Sequence, residues 1–450
     1  MTIKEFENRV KNKSVAVLGI GVSNTPLIKM LISMGANVTA RDKKDANSLG
    51  EIVGELKALG ARVVLGEEYL ENLDEDIIFK TPGMRIDLPP LVAASERGAE
   101  ITSEMEIFFE LCPAPIIAVT GSDGKTTTTT LICEMLKSQG FTCHLGGNIG
   151  KPLLSEIGDI REEHRVIVEL SSFQLHTMKR SPHVAVVTNL SPNHLDMHKD
   201  MNEYIEAKEN IYKHQNDNDI LVLNFDNEIT KSFAKNARGA VVPFGQNTAD
   251  GVHIRDGAIC MKEDVVLSCG DILLPGAHNV ENYMAAIAAT CGQVDITNIQ
   301  KVAKTFGGVE HRIEFVRELD GVRYYNDSIA SSPTRARACL YSFDKKVIII
   351  AGGYDKNIPF DDFGKDVVKQ VKTLILVGAT AKKIRTAVEN VEGEKPGIVM
   401  AADFEDAVAQ AKVSASSGDV VILSPACASF DLFKDFAQRG RIFKQLVMEL

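Results

Sequence analysis

Apolar positions in this chain fall into short continuous runs separated by longer stretches with helical spacing. Ser14 to Leu18, Ile116 to Thr120, Val347 to Ala351 and Val420 to Leu423 are runs of strand length with almost no polar interruption. That pattern marks strands covered on both faces, as in parallel sheets, where helices must carry the chain back between strands. In the first block, the run Ser14 to Leu18 leads into Gly19-Ile20-Gly21-Val22-Ser23-Asn24. Pro26 then suits a first helical turn capped by Asn24 or Thr25. The helix runs to Gly35, and a strand from Asn37 to Ala40 ends at Arg41-Asp42. Strand, glycine turn, helix, strand and acid form a dinucleotide-type βαβ unit. A further strand, Ile77 to Lys80, is stopped by Thr81-Pro82-Gly83, and Cys112-Pro113-Ala114-Pro115 makes a stiff link out of the block.

The second block opens with the strand Ile116 to Thr120, a glycine loop, and a helix from Thr126 to Gln139 closed by Gly140. Strands are predicted at Val166 to Leu170, Val184 to Asn189 and Ile220 to Asn224. A helix around Tyr204 to Tyr212 separates the last two, and short strands over Val241 to Leu274 precede a helix at Asn279 to Cys291. Gly307-Gly308 breaks the pattern. Beyond it, strands at Val347 to Ala351, Thr373 to Val377 and Val420 to Leu423 alternate with helices. Three α/β domains are therefore expected, at 1–112, 113–308 and 309–450, which is also what 450 residues suggest.

Composition narrows the classes. Fifty Lys and Arg against 61 Asp and Glu leave a net charge of −11, which argues against broad binding to nucleic acid or to an anionic membrane. It permits an anionic small molecule held in a local basic pocket. Residues Met1 to Glu7 lack the basic-then-apolar pattern of a signal peptide, and no apolar run approaches the roughly 18 residues of a membrane helix. The eight cysteines are scattered, without a C-x-x-C pair, and read as small core residues in a reducing compartment. A cytoplasmic protein without a zinc site is expected.

The sharpest chemical signal is Gly121-Ser122-Asp123-Gly124-Lys125-Thr126-Thr127 between a strand and a helix. Backbone N–H groups around a tight glycine turn, with a helix N-terminus behind them, cradle phosphate. Lys125 supplies a mobile charge for the terminal phosphates and Thr126 a hydroxyl for Mg²⁺. Val119 occupies the place of the first glycine in the common G-x-x-x-x-G-K-[ST] form. Glu169, at a strand end, is able to reach a metal beside that loop, although an isolated strand glutamate is more often a structural hydrogen-bonder. His194, in Asn193-His194-Leu195-Asp196, is by itself more often structural than a ligand, and Lys208 by default is a solvated surface lysine.

Taken together, the glycine loop, Gly146-Gly147-Asn148-Ile149-Gly150, Glu169-Leu170-Ser171-Ser172-Phe173-Gln174-Leu175, Asn193-His194-Leu195-Asp196 and Ala207-Lys208 resemble the Mur ligase family. So do Gly276-Ala277-His278-Asn279-Val280-Glu281-Asn282, Glu310-His311-Arg312, Asn326-Asp327-Ser328 and Ser424-Pro425-Ala426-Cys427-Ala428-Ser429-Phe430-Asp431. The resemblance runs nearly end to end. It implies Rossmann-like first and last domains around a central P-loop-type ATPase domain. Within the family, the E-L-S-S-F-Q-L and S-P-A-C-A-S-x-D stretches look like those of the branch that adds D-glutamate to UDP-N-acetylmuramoyl-L-alanine. The D-N-P-R motif of the diaminopimelate-adding relatives is missing, since the chain has no Asn-Pro.

The resemblance implies that ATP binds Gly121, Ser122, Asp123, Gly124, Lys125, Thr126 and Thr127, with Asn279 on the adenine and Arg312 and Asp327 closing over the nucleotide. Thr126, Glu169, His194 and a carbamylated Lys208 would hold Mg²⁺, and Lys125, His194 and Lys208 would form the catalytic set. Val22, Ser23, Asp42 and Gly83 would contact the uridine diphosphate end of the precursor, and Asn148 would touch the substrate between blocks. Ser331, Lys356, Ser429, Phe430 and Phe436 would take D-glutamate. One departure stands out. Many members have Lys after the Asp-Ser of that loop, where this chain has Ile329; Arg335 and Ser331 are the nearest substitutes. The expected protein is a monomer acting on small molecules. The rival readings are another ligase of the family, a non-catalytic nucleotide-binding regulator, and an NAD oxidoreductase using the first block.

Overall fold

The computed structural model describes the whole chain apart from residues 193–196, 247 and 249. His194 lies outside the described residues. Three sheets account for the apolar runs. The first is all parallel, in the order β3-β2-β1-β4-β5, built from β1 (Ser14–Leu18), β2 (Asn37–Asp42), β3 (Arg62–Leu65), β4 (Ile77–Phe79) and β5 (Glu100–Thr102). Its strand order reverses between β1 and β4. The loops leaving those two strands therefore flank the crevice in which open α/β sheets bind ligands.

The second sheet has nine strands: β6 (Ile116–Thr120), β7 (Cys143–Gly147), β8 (Arg165–Glu169), β9 (Val184–Val187), β10 (Ile220–Asn224), β11 (Ala240–Phe244), β12 (Val252–Arg255), β13 (Ala258–Met261) and β14 (Asp264–Ser268). Their order is β14-β13-β12-β11-β10-β9-β6-β8-β7, parallel from β7 through β12 and antiparallel at β13 and β14. The third sheet, β15-β16-β20-β17-β18-β19, joins β15 (Glu314–Leu319), β16 (Val322–Asn326), β17 (Val347–Ala351), β18 (Val371–Leu376), β19 (Gly397–Met400) and β20 (Val420–Leu423). Only β15 runs antiparallel.

Two compact units contain these sheets. One comprises residues 1–268 and 281–302, with the first two sheets; the other comprises 269–280 and 303–450, with the third. Inside the first unit a continuous core runs from Phe6, Val15 and Leu27 through Phe108 to Val166, Tyr204 and Phe233. The sequence-predicted strands at Ser14–Leu18, Ile116–Thr120, Ile220–Asn224, Val347–Ala351 and Val420–Leu423 stand where expected.

One expected detail is corrected. Neither Asn24 nor Thr25 caps the helix Asn24–Ser33, whose N-cap is Ser23 without a side-chain bond. Asn24 instead turns its amide back to donate to the Leu18 and Gly19 carbonyls at 3.1 and 3.0 Å. That brace occupies the position where a dinucleotide fingerprint has its third glycine, so the loop is held by a side chain rather than by close helix–strand packing. No disulfide joins any of the eight cysteines. No described helix is long and apolar enough to cross a membrane.

Candidate active site

The phosphate-loop sequence folds as its residue types require. β6 delivers the chain to Gly121, and the helix Lys125–Ser138 starts directly after Gly124. Gly124 sits at φ 76°, in the left-handed region, and a Cβ there would collide with the Asn282 side chain. The loop is pinned from the end of β9. The Ser122 amide donates to the Asn189 carbonyl at 2.9 Å, the Asp123 amide to Asn189 Oδ1 at 2.9 Å, and the Thr188 hydroxyl to the Asp123 carbonyl at 2.6 Å. Lys125 Nζ lies over the loop, donating to the Gly121 and Ser122 carbonyls at 3.0 and 2.9 Å.

At the end of β8, Glu169 is buried, and both of its oxygens are engaged. Thr126 Oγ1 donates to Oε2 at 2.7 Å and Asn148 Nδ2 to Oε1 at 2.7 Å. The structural-hydrogen-bond reading of Glu169 and the metal reading thus meet in one geometry. A threonine hydroxyl and a carboxylate oxygen 2.7 Å apart are hard donors at the separation of adjacent ligands on a small cation. Mg²⁺ needs only one or two protein ligands of this kind when substrate phosphates and waters complete its shell. Among the described residues no cluster of three His, Cys, Asp or Glu side chains offers an all-protein metal cage.

Lys208 overturns its default reading as a solvated lysine. On the helix Met201–Glu209 it is 1% exposed, donating to Thr120 Oγ1 at 3.0 Å and to the Gly121 carbonyl at 2.9 Å. Burial drives its pKa well below the ordinary lysine range; the Lys125 charge adds to the effect and Glu169 opposes it. Tyr204, one helical turn earlier, was not singled out by the sequence. Its ring lies under Lys208 Nζ at 4.9 Å, and its hydroxyl is 3.0 Å from Ser122 Oγ in the loop. The i, i+4 spacing of an aromatic and a lysine was the available signal.

The predicted precursor residues gather at the switch point of the first sheet. Val22 is exposed and Ser23 half-buried at the end of β1, while Thr81-Pro82-Gly83 follows β4. Asp42 takes a bracing role: Oδ2 accepts the Ile20 amide at 2.7 Å and Oδ1 the Lys44 amide at 2.8 Å.

In the second unit, the ends of adjacent strands β16, β20 and β17 carry the predicted amino-acid residues. Ser331, Lys356 and Ala426 to Ala428 line one small cavity with Tyr354. Phe430 is exposed, its ring edge-on to Tyr354 at 6.0 Å. Phe436 packs edge-on against His311 at 5.9 Å, and its carbonyl accepts the Ser328 hydroxyl at 2.7 Å. Ser429 is buried. Asn279 donates its side-chain amide to the Pro275 carbonyl at 2.7 Å, within the same unit. Arg335 Nη1 donates to the Ile329 carbonyl at 3.4 Å, which sets its guanidinium beside the position where the family lysine is missing.

Arg439 was also missed. Fully buried, it donates to Ser328 Oγ at 3.0 Å and to the carbonyls of Ser328, Cys427 and Ala428 at 2.8 to 3.2 Å. One side chain therefore ties the loop after β16 to the loop after β20.

Asp327 is buried, accepts from Ser424 Oγ at 2.8 Å and from the Ile313 amide at 3.3 Å, and has its pKa pushed up to about 7 by burial, against those bonds. A carboxyl raised in the folded state stabilises the fold fully below the unfolded value near 4, and that contribution is lost as pH rises to 7. The melting temperature of Asp327→Asn should therefore fall less between pH 5 and pH 8 than that of the parent. Parallel curves would contradict this assignment.

Comparison with known proteins decides the family. The Mur ligase middle domain matches residues 119–290, and the Mur ligase glutamate ligase domain matches residues 311–427. UDP-N-acetylmuramoylalanine–D-glutamate ligase of Acetivibrio thermocellus is 55% identical over 99% of this chain and 98% of its own. The chain belongs to the Mur ligase family. The enzyme of the same name from Ruminiclostridium cellulolyticum is 53% identical, over 100% of this chain and 99% of its own. Two solved Mur ligases share the fold. The UDP-N-acetylmuramoyl-L-alanyl-D-glutamate–2,6-diaminopimelate ligase has a TM-score of 0.60 at 18% identity, covering 98% of this chain and 94% of its own. The UDP-N-acetylmuramate-alanine ligase of Thermotoga maritima has 0.57 at 21%, covering 97% and 99%.

Proposed function

We propose that this Mur ligase joins D-glutamate to UDP-N-acetylmuramoyl-L-alanine, at the expense of ATP, in peptidoglycan precursor synthesis. The full-length similarity to two D-glutamate ligases supports the substrate pair. The observation that carries the chemistry is the convergence of Lys125 and the buried Lys208 on the Gly121 carbonyl, with the half-buried Thr126 bonded to the buried Glu169 at the start of the same helix.

The division of labour follows the three sheets, with domains at 1–112, 113–308 and 309–450. Val22, Ser23, Asp42 and Gly83 take the uridine diphosphate end of the precursor. Gly121 to Thr127 take ATP, and Asn279, Arg312 and Asp327 are nucleotide contacts. Ser331, Lys356, Ser429, Phe430 and Phe436 hold the amino acid. Arg335 supplies the cation that Ile329 lacks.

A carboxylate resists amine attack because its leaving group would be oxide. Moving the γ-phosphoryl group of ATP onto the L-alanyl carboxylate gives an acyl phosphate with phosphate as leaving group. The D-glutamate amine then attacks the carbonyl carbon, the C–O bond to phosphate breaks, and the amide forms. The loop amides and Lys125 orient the phosphates and offset charge on the transferred group. Mg²⁺, held by Thr126, Glu169, His194 and the carbamate of Lys208, would neutralise phosphate charge. Burial favours the neutral amine at Lys208, the form that adds to carbon dioxide, and the resulting carbamate would offer the oxygen donors an amine lacks.

Phosphate release measured with ATP, UDP-N-acetylmuramoyl-L-alanine and a panel of amino acids tests this. D-glutamate should support turnover and L-lysine or diaminopimelate should not. The reverse preference would sink the substrate assignment. Nucleotide binding without product under all conditions would favour the regulator reading.

A further inference from the structure

The loop after β4 that carries Pro82 and Gly83 goes on to Arg85, whose guanidinium has all five N–H groups in use. Nε and Nη2 donate to the two Asp87 oxygens at 2.8 and 2.9 Å. Nη2 and Nη1 donate to the two Glu203 oxygens at 2.7 and 3.0 Å, and Nη1 also reaches the Met197 carbonyl at 2.8 Å. Glu203 lies in the first turn of the helix that carries Tyr204 and Lys208. It accepts the Lys199 amide at 2.7 Å, and His198 Nδ1 and His176 Nε2 stand 3.6 and 3.7 Å from it. The other His198 nitrogen is 2.9 Å from Ser172 Oγ, in the turn that follows Glu169, and Phe173 stacks on the His198 ring at 5.2 Å.

One fork thus fastens two pieces of the site, the loop that carries Pro82 and Gly83 and the Lys208 helix, with His198 standing between Glu203 and the turn beyond Glu169. Stability does not explain this arrangement, since partly exposed ion pairs contribute little to it. A doubly bidentate arginine contributes geometry instead, because its planar donors fix the angle between the groups it joins. Tyr204 and Lys208 carry that geometry on to Ser122, Thr120 and the Gly121 carbonyl of the phosphate loop.

We propose that Arg85 is a positioning residue that couples the precursor-binding loop to the phosphate loop, so that precursor seated at Gly83 favours the arrangement of Tyr204 and Lys208 that receives nucleotide. The proposal rests on the functional reading above for the identity of its two ligands. By linkage, the same coupling makes nucleotide tighten the precursor.

The test is calorimetric titration of the full-length protein with a non-hydrolysable ATP analogue, with and without saturating UDP-N-acetylmuramoyl-L-alanine. In the parent, precursor should tighten the analogue by at least about fivefold. In Arg85→Lys, which keeps one charge but cannot span two carboxylates, and in Glu203→Gln, that gain should fall below about twofold. The analogue affinity without precursor and the melting temperature should stay near parental values, which separates positioning from a loss of fold. Variants that retain the parental gain, or a precursor-binding parent that shows none, overturn the proposal alone. A parent that does not bind the precursor overturns the functional reading and this inference together.

Discussion

Lys125→Ala should lower kcat by about 10²–10³-fold while the protein keeps its fold, because in the proposed function this residue supplies the charge that meets the transferred phosphoryl group. The lysine is not the main brace of the loop. Its ammonium donates to the carbonyls of Gly121 and Ser122, whereas the loop is held by Thr188 and Asn189 from β9. Truncation therefore leaves no buried donor stranded and no brace broken. Steady-state phosphate release, with melting temperature as the control, checks the expectation. A variant within tenfold of the parent would move the phosphate-handling role away from this residue.

The second large effect is at Lys208. Lys208→Met replaces a buried amine by an apolar chain of similar length, which relieves the cost of burying a polar head group. The variant should melt at or above the parental temperature. It should also lose turnover by roughly 10³-fold or more, by analogy with removing a charged group that acts in phosphoryl transfer. Stability and activity thus move in opposite directions, which a structural lysine would not produce. A variant that both melts early and retains its kcat would identify Lys208 as a structural tie between β6 and its helix.

The contrast between Lys125 and Lys208 also shows what was legible in the chain. Lys125 declares itself through its neighbours in sequence, because a glycine turn between strand and helix needs the residues to be consecutive. The same holds for the strands buried on both faces, whose apolar runs match the structure at β1, β6, β10, β17 and β20. Lys208 has no such local mark. Its burial depends on Thr120 and Gly121, nearly ninety residues earlier, so only the family resemblance pointed to it. Short or edge strands such as β3, β5 and β7 were not predicted, since three to five residues with glycine or charged neighbours carry too little periodicity. Arg439 and Arg85 are the sharpest omissions. Each does its work through carbonyls or carboxylates that become neighbours only when the sheets have formed.

Arg439 has a consequence for how the protein is made. It stands on the helix Phe436–Glu449, the last element before the end of this chain, yet it ties together loops leaving β16 and β20. Synthesis runs from the N-terminus, so domains that appear early can fold while later ones are still being assembled. The first unit gains nearly all of its core by residue 302. The second unit has its six strands by Leu423, but the loops after β16 and β20 lack their pin until the helix Phe436–Glu449 emerges. A nascent chain is therefore able to order its Gly121–Thr127 loop well before the loops after β16 and β20 are pinned.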